Sequence, residues 1–305
     1  MIKLATLLAC ALVFMGVPAH AERLSINLVV SEKGTPYQKF AKEFKKALVA
    51  VDADVYIVES HDVNEGNKGL IVAVGMRSAK LAVLQHDTPV LFTMIPAFGY
   101  RDLMDGLATD GNRFDQITSA IYLDQPMSRQ IDFIKAILPN RSRVGVLYSS
   151  EEDAGLKGMR KVTAERGLSL VTRRVGEAGL FPELEKVLST SDLLLAIPDG
   201  EIYNSSNIRN ILLTSYRRSV PLIGISRPYV RAGALSAVFS TPEQLANQAA
   251  ETVISFSRSK QLPAPQYPAE FNIEVNREVG RSLGIILPSK AVIRTRLGAS
   301  GEGSK

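Results

Sequence analysis

Hydroxyl and charged residues recur in this sequence directly after short apolar runs. The groups are Ser31-Glu32, Gly75-Met76-Arg77-Ser78, Thr93-Met94, Tyr148-Ser149-Ser150, Pro198-Asp199 and Ser226-Arg227. If each run is a strand, these residues sit at its carboxyl end, where open α/β sheets form their ligand crevices. Helices expected just after several of these turns direct free backbone N–H groups at the crevice, which favours an anion such as a carboxylate. Asp199 or Glu32 would pair with an ammonium. The expected ligand-binding set is Ser31, Glu32, Gly75, Arg77, Ser78, Thr93, Tyr148, Ser149, Ser150, Asp199, Ser226 and Arg227. Each serine and aspartate has a plainer role open to it, that of capping the helix that follows.

The groups that would break bonds are scarce. His61 and His86 each stand beside an aspartate, Asp62 and Asp87, at the edge of an expected element, and a metal site would need them to converge without cysteine. No Walker-type loop and no G-x-G-x-x-G occurs. Gly224-Ile225-Ser226-Arg227-Pro228 begins like a nucleophile elbow, but Pro228 replaces the second glycine that the sharp turn needs. Ser257-Arg258-Ser259-Lys260 fits S-x-x-K at a polar helix end with no partner motif. Glu151-Glu152 reads as helix N-terminal charge. No catalytic residue, metal or cofactor is therefore expected, and the chain reads as no enzyme.

These residues need elements to position them. Lys3, the apolar run Leu4–Val17 and Ala19-His20-Ala21 form an export signal cleaved after Ala21, too short to span a bilayer. Leu7-Leu8-Ala9-Cys10 resembles a lipoprotein box, but only six residues separate Lys3 from Cys10, so the lipid anchor is the lesser reading. Cys10 is the one cysteine, which removes disulfides, thiol nucleophiles and thiolate metal sites from the remainder. After Ala21, 35 basic residues face 31 acidic ones, a net +4 spread in pairs such as Lys45-Lys46 and Arg173-Arg174. Nucleic acid would want a clustered basic face, so no nucleic-acid partner is expected.

Beyond the signal, short apolar runs alternate with amphipathic segments, and the series restarts near Pro126. Strands are expected at Leu24–Ser31, Val55–Glu59, Leu70–Val74, Pro89–Ile95, Ile117–Leu123, Arg143–Tyr148, Leu168–Val175, Leu193–Ile197, Pro221–Ile225 and Ala234–Phe239. Between them lie helical segments. One is opened by Thr35-Pro36 as N-cap and N1, another by the capping box Thr241-Pro242-Glu243-Gln244. The fold class is α/β: two Rossmann-like lobes with parallel sheets covered on both faces, joined by a multi-strand hinge. The first lobe takes residues 22–123 plus about 242–264, the second 124–241 plus about 268–290. The crossings lie near Leu123–Pro126, Phe239–Thr241 and Leu262–Pro268, and Gly298–Lys305 is expected to be a disordered tail.

Two series of residues sharpen this reading. The first is Ile117-Thr118, Arg129–Ile134, Leu138-Pro139-Asn140 and Arg143–Tyr148. The second is Gly233-Ala234-Leu235, Gln248–Glu251, Phe271–Asn276, Leu283-Gly284-Ile285 and Leu287-Pro288. Together they resemble the ABC-transporter substrate-binding family that includes tryptophan- and tyrosine-binding lipoproteins. The resemblance implies a type I periplasmic-binding-protein fold. Its lobes would close on an amino acid or similar solute and deliver it to an inner-membrane ABC permease, with the protein a periplasmic monomer. Val72–Gly75 and Pro89–Thr93 fit the pattern of the first lobe.

Departures fall in the loops. Met94-Ile95-Pro96-Ala97-Phe98 stands where the family tends to have a small-residue turn with Asp-Pro. Met76 and Arg77 delay the usual hydroxyl to Ser78, and Val238–Thr241 replaces a Tyr-Gly-x-Asp stretch. With no tryptophan in the chain, Tyr148 and Phe98 are the candidates for stacking on a ligand. These departures motivate an alternative, an exported sensor or accessory protein that contacts a membrane partner without transport. A hydrolase built on Ser226 is a third reading, without an identified base.

Overall fold

The computed structural model describes residues 23–30, 34–51, 55–63, 69–85, 87–108, 117–149 and 154–301. The expected export signal, Cys10, Ser31, Glu32, His86, Ser150, Glu151 and Glu152 lie outside the described residues.

The first sheet is built from β1 (Leu24–Val30), β2 (Val55–Ser60), β3 (Leu70–Val74), β4 (Val90–Ile95) and β5 (Thr118–Tyr122), in the order β2-β1-β3-β4-β5 and parallel throughout. β3 and β4 are buried at every residue, as strands covered on both faces must be. One face is covered by α1 (Thr35–Ala50), the other by α2 (Met76–Ala82) and α3 (Ala97–Ala108).

The second sheet contains β6 (Arg143–Tyr148), β7 (Ser169–Arg174), β8 (Leu193–Leu195), β9 (Leu222–Gly224), β10 (Ser236–Phe239) and β11 (Asn272–Val275), in the order β11-β10-β9-β8-β6-β7. Its helices are α4 (Met127–Ile137), α5 (Ala154–Glu165), α6 (Leu180–Thr190), α7 (Ile208–Arg217) and α8 (Arg227–Ala232). The pairing is parallel except at the edge, where β11 runs antiparallel to β10.

The chain crosses between the sheets three times. After β5 it passes through Leu123–Pro126 into α4. After β10 it returns as α9 (Pro242–Ser259), whose Leu245, Ala249 and Val253 pack with Phe40, Phe44 and Leu48 of α1. The expected capping box opens α9: the Thr241 backbone N–H donates to the Gln244 side chain at 2.9 Å, and the Gln244 N–H donates to Thr241 Oγ1 at 3.2 Å. The third crossing runs beside β5, where the Gln266 N–H donates to Ala120 O at 2.8 Å and the Tyr122 N–H to Gln266 O at 3.0 Å. It leads to β11, α10 (Arg277–Ser282) and α11 (Lys290–Gly301).

Some expectations are corrected. Gly34, not Thr35, is the N-cap of α1, with Pro36 inside the first turn. α11 carries helix through Gly298–Gly301, the first half of the expected disordered tail, because Ile293 and Leu297 anchor it in the core of the second sheet; residues 302–305 lie outside the described residues. The Arg296 guanidinium also donates to Ala136 O of α4 at 2.6 Å. α3 and α8 occupy stretches to which the sequence reading assigned no element.

Candidate ligand-binding cleft

The two sheets face one another across a cleft formed of two cavities, about 610 and 650 Å3 in volume. Asp124, Gln125, Gln130 and Pro198 line both. The first cavity lies between the start of α1 (Thr35, Tyr37, Lys39) and the start of α8 (Ser226, Arg227, Arg231), with Phe239–Glu243 behind. The second lies between α3 (Phe98, Arg101, Asp102) and the start of α5 (Gly155, Leu156), flanked by Lys80, Tyr148, Ser149, Asp199, Glu201 and Tyr267. Both sit at the carboxyl ends of the strands, where backbone amides of following helices are free of intrahelical partners.

Backbone geometry on the first-lobe side is unusual. Gly75 has φ +85°, and its amide donates to Thr93 O at 2.9 Å. A Cβ there would stand 2.8 Å from Tyr37 Cε1, so only glycine lets α1 approach. Met94 takes φ 55° where the β4–β5 register shifts between Thr93 and Ile95, and its side chain lines the first cavity. A left-handed methionine at a cleft marks strain held by its surroundings.

The crossings are tied to each other by side chains. Gln125 Nε2 donates to Ser240 Oγ at 2.9 Å, and the Ser240 hydroxyl donates to Glu270 O. The Arg129 guanidinium donates to Gln125 Oε1 at 2.7 Å and to Pro268 O at 2.9 Å. Gln130 Nε2 donates to Gln125 O at 3.1 Å. Gln125 thus links all three crossings at the floor of the cleft.

Two aspartates in the cleft differ in what surrounds them. Asp199 is 7% exposed. Its Oδ2 accepts from the Ser149 amide and hydroxyl, both at 2.8 Å, and its Oδ1 accepts from the amides of Glu201 and Ile202 at 3.1 and 3.2 Å. This carboxylate organises a turn and joins the end of β6 to the segment after β8, which is the plainer capping role open to it. Asp124 Oδ1 accepts one bond from the Ala97 amide at 2.8 Å. Among the described residues no cation forms an ion pair with it, and burial raises its pKa to about 6, opposed by its backbone hydrogen bonds and by Arg101.

The expected site residues are divided by the structure. Tyr148, Ser149 and Asp199 line the second cavity, and Ser226 and Arg227 the first. Arg227 also pairs with Glu274 at 3.5 Å and lies 5.9 Å from the Phe239 ring centroid. Gly75 is buried behind Tyr37, and Ser78 and Thr93 are wholly buried beneath the cleft, lining neither cavity. Thr93 Oγ1 makes no hydrogen bond. Arg77 points to solvent, off both cavities. Sequence reasoning missed Asp124, Gln125, Gln130, Tyr37 and Tyr267, while Met94, named there with Thr93 at a strand end, lines the first cavity. The signal for the first two was the crossing itself, since a chain that passes between lobes must line whatever lies between them. Ser226 heads α8, and among the described residues no histidine lines its cavity. Among the described residues no group of His, Cys, Asp and Glu is placed to hold a metal.

The model of the ABC transporter substrate binding protein family matches residues 38–293. Solved structures with the same fold include an ABC domain in complex with L-Trp from Streptococcus pneumonia (20% identity, TM-score 0.63, 88% of this chain and 97% of that one). A conserved domain protein from Vibrio cholerae is similar at 19% identity (TM-score 0.64, 88% and 96% covered). A ligand-free, open substrate binding protein with adhesive properties from Clostridium difficile is similar at 17% (TM-score 0.61, 87% and 96% covered). Comparison with curated proteins gives no match. Two facing α/β sheets, a cleft at their strand ends and a family match over most of the chain lead to one conclusion: this protein belongs to the ABC transporter substrate-binding family, a non-enzymatic class that serves a membrane permease by holding a small molecule.

Proposed function

We propose that the chain is the exported, monomeric solute-binding component of an ABC importer, taking an amino acid or a related small carboxylate into the cleft between its lobes. The observation that carries this reading is the cleft itself: two cavities, lined from both sheets and floored by the crossings, large enough for such a solute. Residues 22–123 with about 242–264, and 124–241 with about 268–290, would move as the two lobes. A solute touching both lobes shifts the open–closed equilibrium by its differential affinity for the closed form.

The second cavity carries the solute in this reading. Its walls carry both signs of charge, Lys80 and Arg101 against Asp102, Asp124 and Glu201, a mixture that suits a zwitterion. Phe98, Tyr148 and Tyr267 offer aromatic surface. An L-Trp complex of a protein with the same fold supports the class of solute without fixing its identity. Export to the periplasm rests on the segment ending at Ala21, and among the described residues no helix is long and apolar enough to cross a membrane.

Native mass spectrometry of the purified protein tests this. The expected spectrum contains a satellite peak heavier by one small solute, lost on gentle activation and restored by an amino acid. A protein that carries no solute and gains none from amino acids or small carboxylates contradicts the reading.

A further inference from the structure

Asp124 has an incomplete electrostatic environment. Its Oδ1 is held by the first amide of α3, but among the described residues no lysine or arginine pairs with it, and its side chain lies at the wall common to both cavities. A partly buried carboxylate without a cation is costly, and proteins usually supply a partner or leave the group protonated. The groups around it do neither fully. Arg101 lowers its pKa only weakly against burial, which wins. Tyr122 and Tyr267 meet edge to face with centroids 4.9 Å apart, and Tyr100 lies 5.9 Å from Tyr122. Burial raises the pKa of Tyr122 to about 12 and that of Tyr267 as well, so both stay neutral and present π-faces and hydroxyls instead of charge.

We propose, resting on the solute-binding reading above, that Asp124 and Tyr267 form the subsite for a protonated amine, so that the natural solute carries an ammonium group. The solute supplies the cation the protein withholds. An N–H of the ammonium donates to the carboxylate, and the Tyr267 ring, which lines the same cavity, offers a cation–π contact. Asp124 belongs to the first crossing and Tyr267 to the third, so the amine would be gripped by the hinge itself while the rest of the solute reaches both lobes. This assigns to Asp124 the role first expected of Asp199, whose oxygens are occupied by Ser149, Glu201 and Ile202.

The test is titration calorimetry at pH 7.5 with matched probes: each common amino acid beside its desamino acid, and tryptamine and tyramine beside the corresponding arylpropionates. Every probe that binds should carry an amine, and Asp124→Asn should weaken it tenfold or more. Asparagine keeps the acceptor for the Ala97 amide, so this variant should fold; circular dichroism checks that it does. Lowering the pH to 5 should weaken amine binding to the wild type and leave the variant little changed. If desamino acids bind as well as amines, or if a folded Asp124→Asn variant keeps wild-type affinity, the amine subsite is overturned while solute binding stands. If no probe binds, both ideas fall. Should the variant not fold, the matched pairs on the wild-type protein decide the matter alone.

Discussion

A carboxylate whose pKa is raised on folding works against the fold at neutral pH. Asp124 releases its proton near 3.8 in the unfolded chain and near 6 in the folded one. Between those values the folded state binds more protons, so stability falls as pH rises. Its favourable contribution is complete below about pH 4 and lost once pH passes about 6. Asp124→Asn should therefore raise the melting temperature at pH 7.5, by roughly 1–3 kcal/mol in stability terms, and the gain should vanish near pH 4. Scanning calorimetry of both proteins at the two pH values checks this; equal stability at pH 7.5 would mean that the carboxylate is well solvated. Asp192 has the opposite sign. The Arg143 guanidinium and the Ser142 and Arg143 amides hold it well below the usual carboxylate range, so its contribution is present at neutral pH and lost only in acid. The two residues separate a group that serves the fold from one retained despite it, and the second kind marks function. Nothing in the local sequence Leu123-Asp124-Gln125-Pro126 distinguishes Asp124 from a capping or turn aspartate. Its burial against α3 and the third crossing comes from residues far along the chain, which is why composition and spacing pointed to Asp199 instead.

Local rules governed the elements wherever local chemistry was strong. Thr241 and Gln244 satisfy each other's backbone N–H groups, and α9 begins where the pattern predicts. Thr241→Ala removes the acceptor for the Gln244 amide and should cost about 1 kcal/mol, measured by urea unfolding. Because α9 packs on α1 while its start lies at the crossing, the loss should also loosen the cleft. The strands β3 and β4 were equally legible, since continuous apolar runs bounded by turn residues have few other uses. The misses have physical reasons. α3 contains Gly99 and Gly106, which lower helix propensity, and it is held by Tyr100 packing on Phe92 and by the Asp124 carboxylate on the Ala97 amide. α8 is six residues long and starts in the stretch that mimics a nucleophile elbow. α11 shows little amphipathic pattern, and its Ile293 and Leu297 find partners only in the second-sheet core. In each case tertiary packing overrode a weak local signal.

At the scale of the whole molecule, the alternation of strands and helices and its restart near Pro126 were enough to predict two sheets, and the crossings follow from where that alternation breaks. What sequence could not give was how the crossings meet. Gln125, Arg129, Ser240 and Pro268 come from segments up to 139 residues apart and converge on one network. That network ties the three crossings together at the floor of the cleft, and Asn272 Nδ2 adds a bond from β11 to Gln244 Oε1 of α9 at 3.0 Å. The proposed closure would narrow the space between α2–α3 and α5, where the second cavity lies. The absence of cysteine after Cys10 makes this motion measurable, because introduced thiols can be labelled uniquely. Arg77 and Lys157 are exposed, lie outside both cavities and stand on α2 and α5. Spin labels attached to a protein beginning at residue 22 and carrying Arg77→Cys and Lys157→Cys report the separation of the lobes by double electron–electron resonance. Adding the solute recovered from the native protein should shift the distance distribution to shorter values. An unchanged distribution under saturating solute would contradict closure of the cleft around its ligand.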